Sequence, residues 1–188
     1  GVKDRILKEG DVISVDVCIR EDEMIGDNCR TVPVGSVSPE VERLLKVTEE
    51  SLYLGLSQAL HKNRIGDVSH AVQSHVEKAG FAVITNFVGH GVGRSLHEDP
   101  QIPNFGKAGT GSKFKKGMAI CIEPMVNTKN AQIRMAKDGW TAVAVDGLPS
   151  AHFEHTLLVD EGKPEILTIP EGYDQAEDFF TAKLAEVA

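Results

Sequence analysis

Three stretches of this chain alternate apolar and polar residues as half-buried strands do, and each sets a carboxylate among hydrophobic neighbours. They are Asp11–Arg20 (DVISVDVCIR) with Asp16, Gly117–Val126 (GMAICIEPMV) with Glu123, and Ala151–Asp160 (AHFEHTLLVD) with Glu154. Strand side chains change face at every residue, so Cys121 and Glu123 share one face of their segment while Ile120 and Ile122 share the other. Glu154 likewise shares a face with His152 and Thr156, with Phe153, His155 and Leu157 turned away. An ionised carboxylate in such a place is costly unless it is paired or bound to a cation. Asp27 adds a fourth acid in a second strand, Met24–Val34. A hairpin turning on Glu21-Asp22 stands Asp16 directly opposite Asp27, at a Cβ separation of roughly 4.5–5.5 Å. Two acids that close repel unless a cation lies between them, and metals ~3.5–4 Å apart suit such a pair. A solvent-facing hairpin with both carboxylates at its open face is the alternative for these two alone.

His90 sits in Phe87–Arg94 (FVGHGVGR), where flanking glycines let the backbone approach closely and free the imidazole to aim at a site. A phosphate-cradling loop needs a helix to follow, but the next residues carry Pro100 and Pro103. His97-Glu98-Asp99-Pro100-Gln101 fails the zinc-protease pattern HExxH at its last position. Four carboxylates and one imidazole (Asp16, Asp27, Glu123, Glu154 and His90) suit manganese, iron(II), cobalt or zinc in a hydrolytic pair better than a structural zinc, which prefers thiolates. Cys18 and Cys29 lie two positions after Asp16 and Asp27, and Cys121 two before Glu123. Each thiol therefore falls on the acid face of its strand, as a small residue beside the ligands, as does His152. A thiol this close makes oxidation-sensitive metal loading an expectation.

The remaining elements frame these strands. Ser38 offers an N-cap with Pro39 behind it, opening a helix to about His61 with apolar positions at Val41, Leu45, Leu52 and Leu56. A second helix is expected from an Asp67 N-cap to a stop at Gly80, and a terminal helix over 174–188 packing Phe179, Phe180 and Leu184. Short strands fill most of the rest: Phe81–Thr85, Gln132–Met135, Thr141–Val145 and Glu165–Ile169. Helices bracketed by hairpin-like strands make this an α+β chain with an antiparallel sheet, read as one catalytic domain over 1–188. The net charge of −8 argues against a nucleic-acid surface, and Lys113-Phe114-Lys115-Lys116 reads as a solvated turn. The three cysteines lack CxxC spacing, which suits a reducing cytoplasm rather than disulfides. No apolar run is long enough for a membrane span.

GHGVGRSLHEDP (Gly89–Pro100), IEPMV (Ile122–Val126), DGW (Asp138–Trp140) and FEHT (Phe153–Thr156), together with the hairpin acids, resemble type I methionine aminopeptidases of metallopeptidase family M24. The resemblance implies the pita-bread (creatinase/aminopeptidase) fold, two pseudo-symmetric halves around a central antiparallel sheet. It implies two divalent metal ions (cobalt, manganese, iron or zinc), with Asp16 chelating one, Asp27 and Glu154 bridging, and His90 and Glu123 completing the second. Glu123 becomes the proton shuttle and His97 a hydrogen-bond partner of the scissile peptide. Trp140 and Leu96 line the methionine pocket, and His152 stands where relatives often carry glutamine. The expected substrates are N-termini of peptides and nascent proteins, met in the cytoplasm near ribosomes by a monomer. Xaa-Pro aminopeptidases and prolidases share the ligand set, but their last glutamate sits in a string resembling RIEDD rather than FEHT. Non-catalytic pita-bread binding modules lose ligands, and here all five are present.

The same resemblance implies a histidine directly before the segment matching Gly1-Val2, and further pocket residues upstream. The first half of the fold is thus expected to be incomplete, with bare apolar surface on one side of the sheet. A fragment of a longer enzyme is the expected reading, over a truncated chain completed by a partner or an inactive remnant. The chain alone is expected to bind metal but turn over poorly.

Overall fold

The computed structural model describes residues 4–170 and 176–187. Its centre is β10 (Ser150–Leu158), a nine-residue strand whose Phe153, His155 and Leu157 face the helices while His152, Glu154 and Thr156 face away. Around it lie β1 (Val12–Glu21), β2 (Met24–Pro33), β4 (Gly89–Gly91), β5 (Glu98–Ile102) and β6 (Ala119–Ile122), in the spatial order β1-β2-β10-β6-β4-β5. Three short strands complete this sheet: β3 (Ala82–Val83), β7 (Met125–Asn127) and β11 (Glu165–Ile166). A separate hairpin is formed by β8 (Ile133–Met135) and β9 (Ala142–Ala144). Every ladder among the described residues is antiparallel. No helix among them is long and apolar enough to cross a membrane.

Helices α1 (Pro39–Gln58) and α2 (Ile65–Lys78) pack the core. Ser38 caps α1 by accepting the Val41 N–H at 3.3 Å. The buried stripe of α1 runs through Leu44, Val47, Leu52 and Leu56, while Val41 and Leu45 sit half-buried at its edge. A Cβ on Gly55 would lie 2.8 Å from Val72 Cγ2, so α1 and α2 approach as closely as a glycine allows. The second helix starts two residues before its expected cap. Asp67 works from inside the first turn, its carboxylate accepting the Arg64 N–H at 2.7 Å. Helix α3 (Ala176–Val187) buries Phe179 and Phe180 against this core. Its expected first residues, Asp174 and Gln175, lie outside the described residues. Phe114 also joins the core, so only the lysines of the expected solvated turn meet water.

One further expectation is corrected. The hairpin turns on Asp22-Glu23, with φ of 45° and 68°, rather than on Glu21-Asp22. Two left-handed central residues are what a two-residue loop needs to match the strands' twist, and aspartate tolerates that region better than most residues. Asp16 therefore faces Cys29, and Asp27 faces Cys18: the acids are diagonal neighbours on one face. The glycine-rich segment at His90, to which the sequence reading gave no element, is a strand, β4, hydrogen-bonded to both β5 and β6. A Cβ on Gly89 would lie 2.3 Å from the Cys121 carbonyl oxygen, and one on Gly91 2.3 Å from that of Asp99. These glycines admit neighbouring backbones.

On the helix side, β1 is poorly covered. Val15, Val17 and Ile19 share that face, and Ile19 is 62% exposed.

Candidate metal centre

On the other face of the sheet, the register lines up side chains in rows that run across the strands. One row reads Asp16, Cys29, Glu154: Asp16 pairs with Cys29, and Cys29 pairs with Glu154. Glu123 extends this row just past the end of β6, where Pro124 interrupts the ladder before β7 begins. The adjacent row reads Cys18, Asp27, Thr156, Cys121, His90. Asp27 joins Thr156 through the threonine hydroxyl, which accepts the Asp27 N–H at 2.9 Å and donates to the Asp27 carbonyl at 2.7 Å. Acids and imidazole are thus interspersed with thiols and a hydroxyl, small groups that leave space among the charges.

Ligand atoms of Asp27, His90, Cys121 and Glu154, all buried, lie within 4.8 Å of one another, as do those of Asp16, Cys18 and Asp27 and those of Glu123, His152 and Glu154. His90 Nε2 stands 3.3 Å from Glu123 Oε1 and 4.0 Å from Asp27 Oδ2. Its Nδ1 is 2.9 Å from the Gly91 carbonyl, which can only accept. Nδ1 therefore carries the proton, and the Nε2 lone pair points at the acids. The structure thus brings Asp16, Asp27, His90, Glu123 and Glu154 to one place on one face.

The electrostatics of the cluster are those of a site built for positive charge. Glu154 is 2% exposed, and its pKa is pushed up to about 9, first by burial and then by Glu123, Asp27 and Asp16. Burial and then Asp27 raise Asp16. Cys18 donates to Asp27 Oδ1 at 3.0 Å, and its thiol is pushed up to about 12, by burial ahead of that bond. Burial raises Cys29 and Cys121 further. All three cysteines are free. Glu154 Oε1 is buried without a hydrogen-bond partner among the described residues. An orphaned carboxylate oxygen facing three other acids fits a divalent cation, and the donor set of oxygens with imidazole suits manganese, iron, cobalt or zinc.

Other expected site residues lie at the margin or away. The His97 ring meets His90 edge-on at a centroid distance of 4.5 Å and is exposed to an open depression lined by Gly89, His90 and Gln101. Leu96 is half-buried beside it. Trp140 is 88% exposed in the turn between β8 and β9, so no methionine pocket closes around it here. The histidines expected outside the site stay outside it: His155 is a core residue, His75 pairs with Glu50 at 2.8 Å, and His61 Nδ1 accepts the Lys116 N–H. Three supporting residues escaped the sequence reading. Thr31 is tied to the backbone of His152 on both sides. Thr156 ties Asp27 to Cys121 within their row, and Asn104 donates to the Glu123 carbonyl at 3.0 Å. Thr156 at least lay in the FEHT string; Asn104 follows Pro103 with no periodicity to mark it.

An antiparallel sheet with helices on one face and clustered acids on the other defines a class. Residues 1–161 match the model of metallopeptidase family M24, and the chain belongs to that family, whose members use divalent metal. Its sheet and helices form part of the pita-bread fold. It is 48% identical over 164 residues to methionine aminopeptidase 1 of Bacillus subtilis, covering 87% of this chain and 66% of that protein. The crystal structure of methionine aminopeptidase from Thermotoga maritima superposes with a TM-score of 0.88 at 48% identity, over 90% of this chain and 68% of that one. That of methionine aminopeptidase from Rickettsia prowazekii gives 0.87 at 38% identity, over 89% and 68%. The chain spans just under two thirds of the length of the first curated relatives it matches.

Proposed function

We propose that this chain carries the metal centre of an aminopeptidase that removes N-terminal methionine from peptides and nascent proteins. The observation that supports it most is the meeting of Asp16, Asp27, His90, Glu123 and Glu154 on one sheet face, with a buried glutamate oxygen left unpartnered. Those five residues would hold two divalent cations from the set cobalt, manganese, iron and zinc. When bound, such cations supply Lewis-acid polarisation of the scissile carbonyl and lower the pKa of attacking water. Glu123 sits at the rim of the cluster, half-buried and between two imidazoles. It is the group to take a proton from the water and return it to the leaving amine. His97, exposed beside His90, orients the scissile peptide by hydrogen bonding.

We read residues 1–188 as one catalytic domain, because the core runs unbroken from Leu44 of α1 to Phe180 of α3. A cytoplasmic setting close to the ribosome, and a monomeric state, go with this reading. The exposure of Trp140 and His97 supports slow turnover by the chain as it stands. The test is therefore a ratio of rates in the metal-loaded chain, which reads specificity even when turnover is slow. Release of methionine from Met-Ala-Ser is expected to outpace cleavage of an Xaa-Pro peptide, and the reverse order would overturn the assignment. Glu123→Gln is expected to lower kcat by roughly 10²–10⁴-fold, the usual scale of a lost acid–base group, measured in the same assay.

A further inference from the structure

We infer that His152 is a second imidazole ligand of this centre, one that biases it towards nitrogen-preferring cations such as zinc. The inference rests on the divalent-cation reading above. His152 occupies a third row across the sheet, beside Thr31. Its N–H donates to Thr31 Oγ1 at 2.8 Å, and the same hydroxyl lies 2.7 Å from its carbonyl oxygen, which it meets as donor. Ser14 Oγ lies 2.8 Å from that hydroxyl in turn. The backbone that carries the imidazole is thus fixed on both sides, as a ligand-bearing strand must be.

The imidazole itself is held by nothing comparable. Nε2 is buried and makes no hydrogen bond among the described residues, although it stands 3.4 Å from Glu123 Oε2. The contact is close enough but lacks the angles of a hydrogen bond, so it leaves the nitrogen unsatisfied. A buried ring nitrogen without a partner needs an explanation. The surroundings supply one. A ring nitrogen of His152 lies within 4.8 Å of ligand atoms of Glu123 and Glu154, and in a second grouping a ring nitrogen lies within 4.8 Å of those of Asp16 and Cys29. Asp16, Glu123 and Glu154 thus each come within reach of a ring nitrogen of His152, where a cation held by these acids would meet the imidazole.

Glu123 shows the same arrangement from its own side. His90 Nε2 approaches one of its oxygens at 3.3 Å and His152 Nε2 the other at 3.4 Å. His90 already has the tautomer and aim of a ligand, and His152 matches it across the carboxylate. Imidazole suits zinc, copper and nickel, whereas manganese favours carboxylate and water. A second imidazole thus raises affinity for zinc more than for manganese.

The competing role is purely positional, with His152 steadying Glu123 and touching no metal. X-ray absorption on the fully zinc-loaded chain separates the two. Two imidazoles per chain are expected, falling to one in His152→Gln. Zinc affinity is expected to drop roughly 10–100-fold in that variant, with manganese affinity changed by less than about threefold. One imidazole in the wild-type chain, or equal losses for zinc and manganese, would overturn the inference. The wild-type count stands even if the variant fails to fold. A wild-type chain that binds no zinc at all instead overturns the divalent-cation reading on which this one rests.

Discussion

His155 shows how far one ring can be committed by its neighbours. Asn28 Nδ2 at 3.1 Å and the Thr168 hydroxyl at 2.8 Å both face Nδ1, and an amide nitrogen can only donate. Nδ1 therefore accepts, and Nε2–H donates to Tyr53 Oη at 3.1 Å. Burial, and secondarily the charge of Arg30, push the pKa down to about 4. The folded value lies below the unfolded one of about 6.5, so the unfolded chain binds the extra proton between them. The stability is whole above pH 6.5 and drains as pH falls towards 4, by about 3 kcal/mol at most. Urea unfolding of the metal-free chain is expected to show this loss, and His155→Gln to flatten it. Equal pH slopes in the two proteins would rule the account out. The neighbouring Glu154 was legible in the sequence because an acid stood in an apolar strand. Thr31, on which His152 depends, was not: a threonine in a strand has no local signal, and its work is done by residues 121 positions away.

At the scale of elements, the β1–β2 turn decides how far apart two acids stand. Moving the turn by one residue, from the expected Glu21-Asp22 to Asp22-Glu23, slides the register by two and keeps every side chain on its face. That is why the sequence pattern could place Asp16 and Asp27 on one surface yet miss their pairing. Asn-Gly is the favoured pair for two left-handed turn positions. Replacing Asp22-Glu23 with it is expected to raise stability by about 0.5–1 kcal/mol while leaving metal affinity unchanged, read by urea melts and calorimetry. A changed metal affinity would mean that the hairpin had slipped. Helix α1 was legible through Ser38 and Pro39, whose local chemistry is sufficient to open a helix. Strand β4 was hidden because Gly89 and Gly91 have poor strand propensity; backbone approach to Cys121 and Asp99 selects them instead.

For the whole molecule, the acid face dominates stability and the helix side dominates solubility. Cations that bind only the folded chain stabilise it by mass action, about 2.7 kcal/mol at a hundredfold excess over Kd. Chelation is expected to lower the melting temperature by roughly 5–10 °C, since a domain of this size shifts about 2–4 °C per kcal/mol, and zinc or manganese to restore it. A melt indifferent to both would contradict the centre's occupancy. On the helix side, the bared Val15, Val17 and Ile19 face is expected to make the chain self-associate with rising concentration. Val17→Lys should reduce that association in light scattering, while equal scattering would place the sticky surface elsewhere.

The rows that cross the sheet have a further consequence. The site is stored as parity: what matters at each position is whether it is odd or even within its strand, and which strands lie side by side. Loops between those strands can lengthen without disturbing it. A single residue inserted within β2 or β10 would turn the residues on one side of the insertion to the helices, and each row crossing there would lose the member that strand supplies.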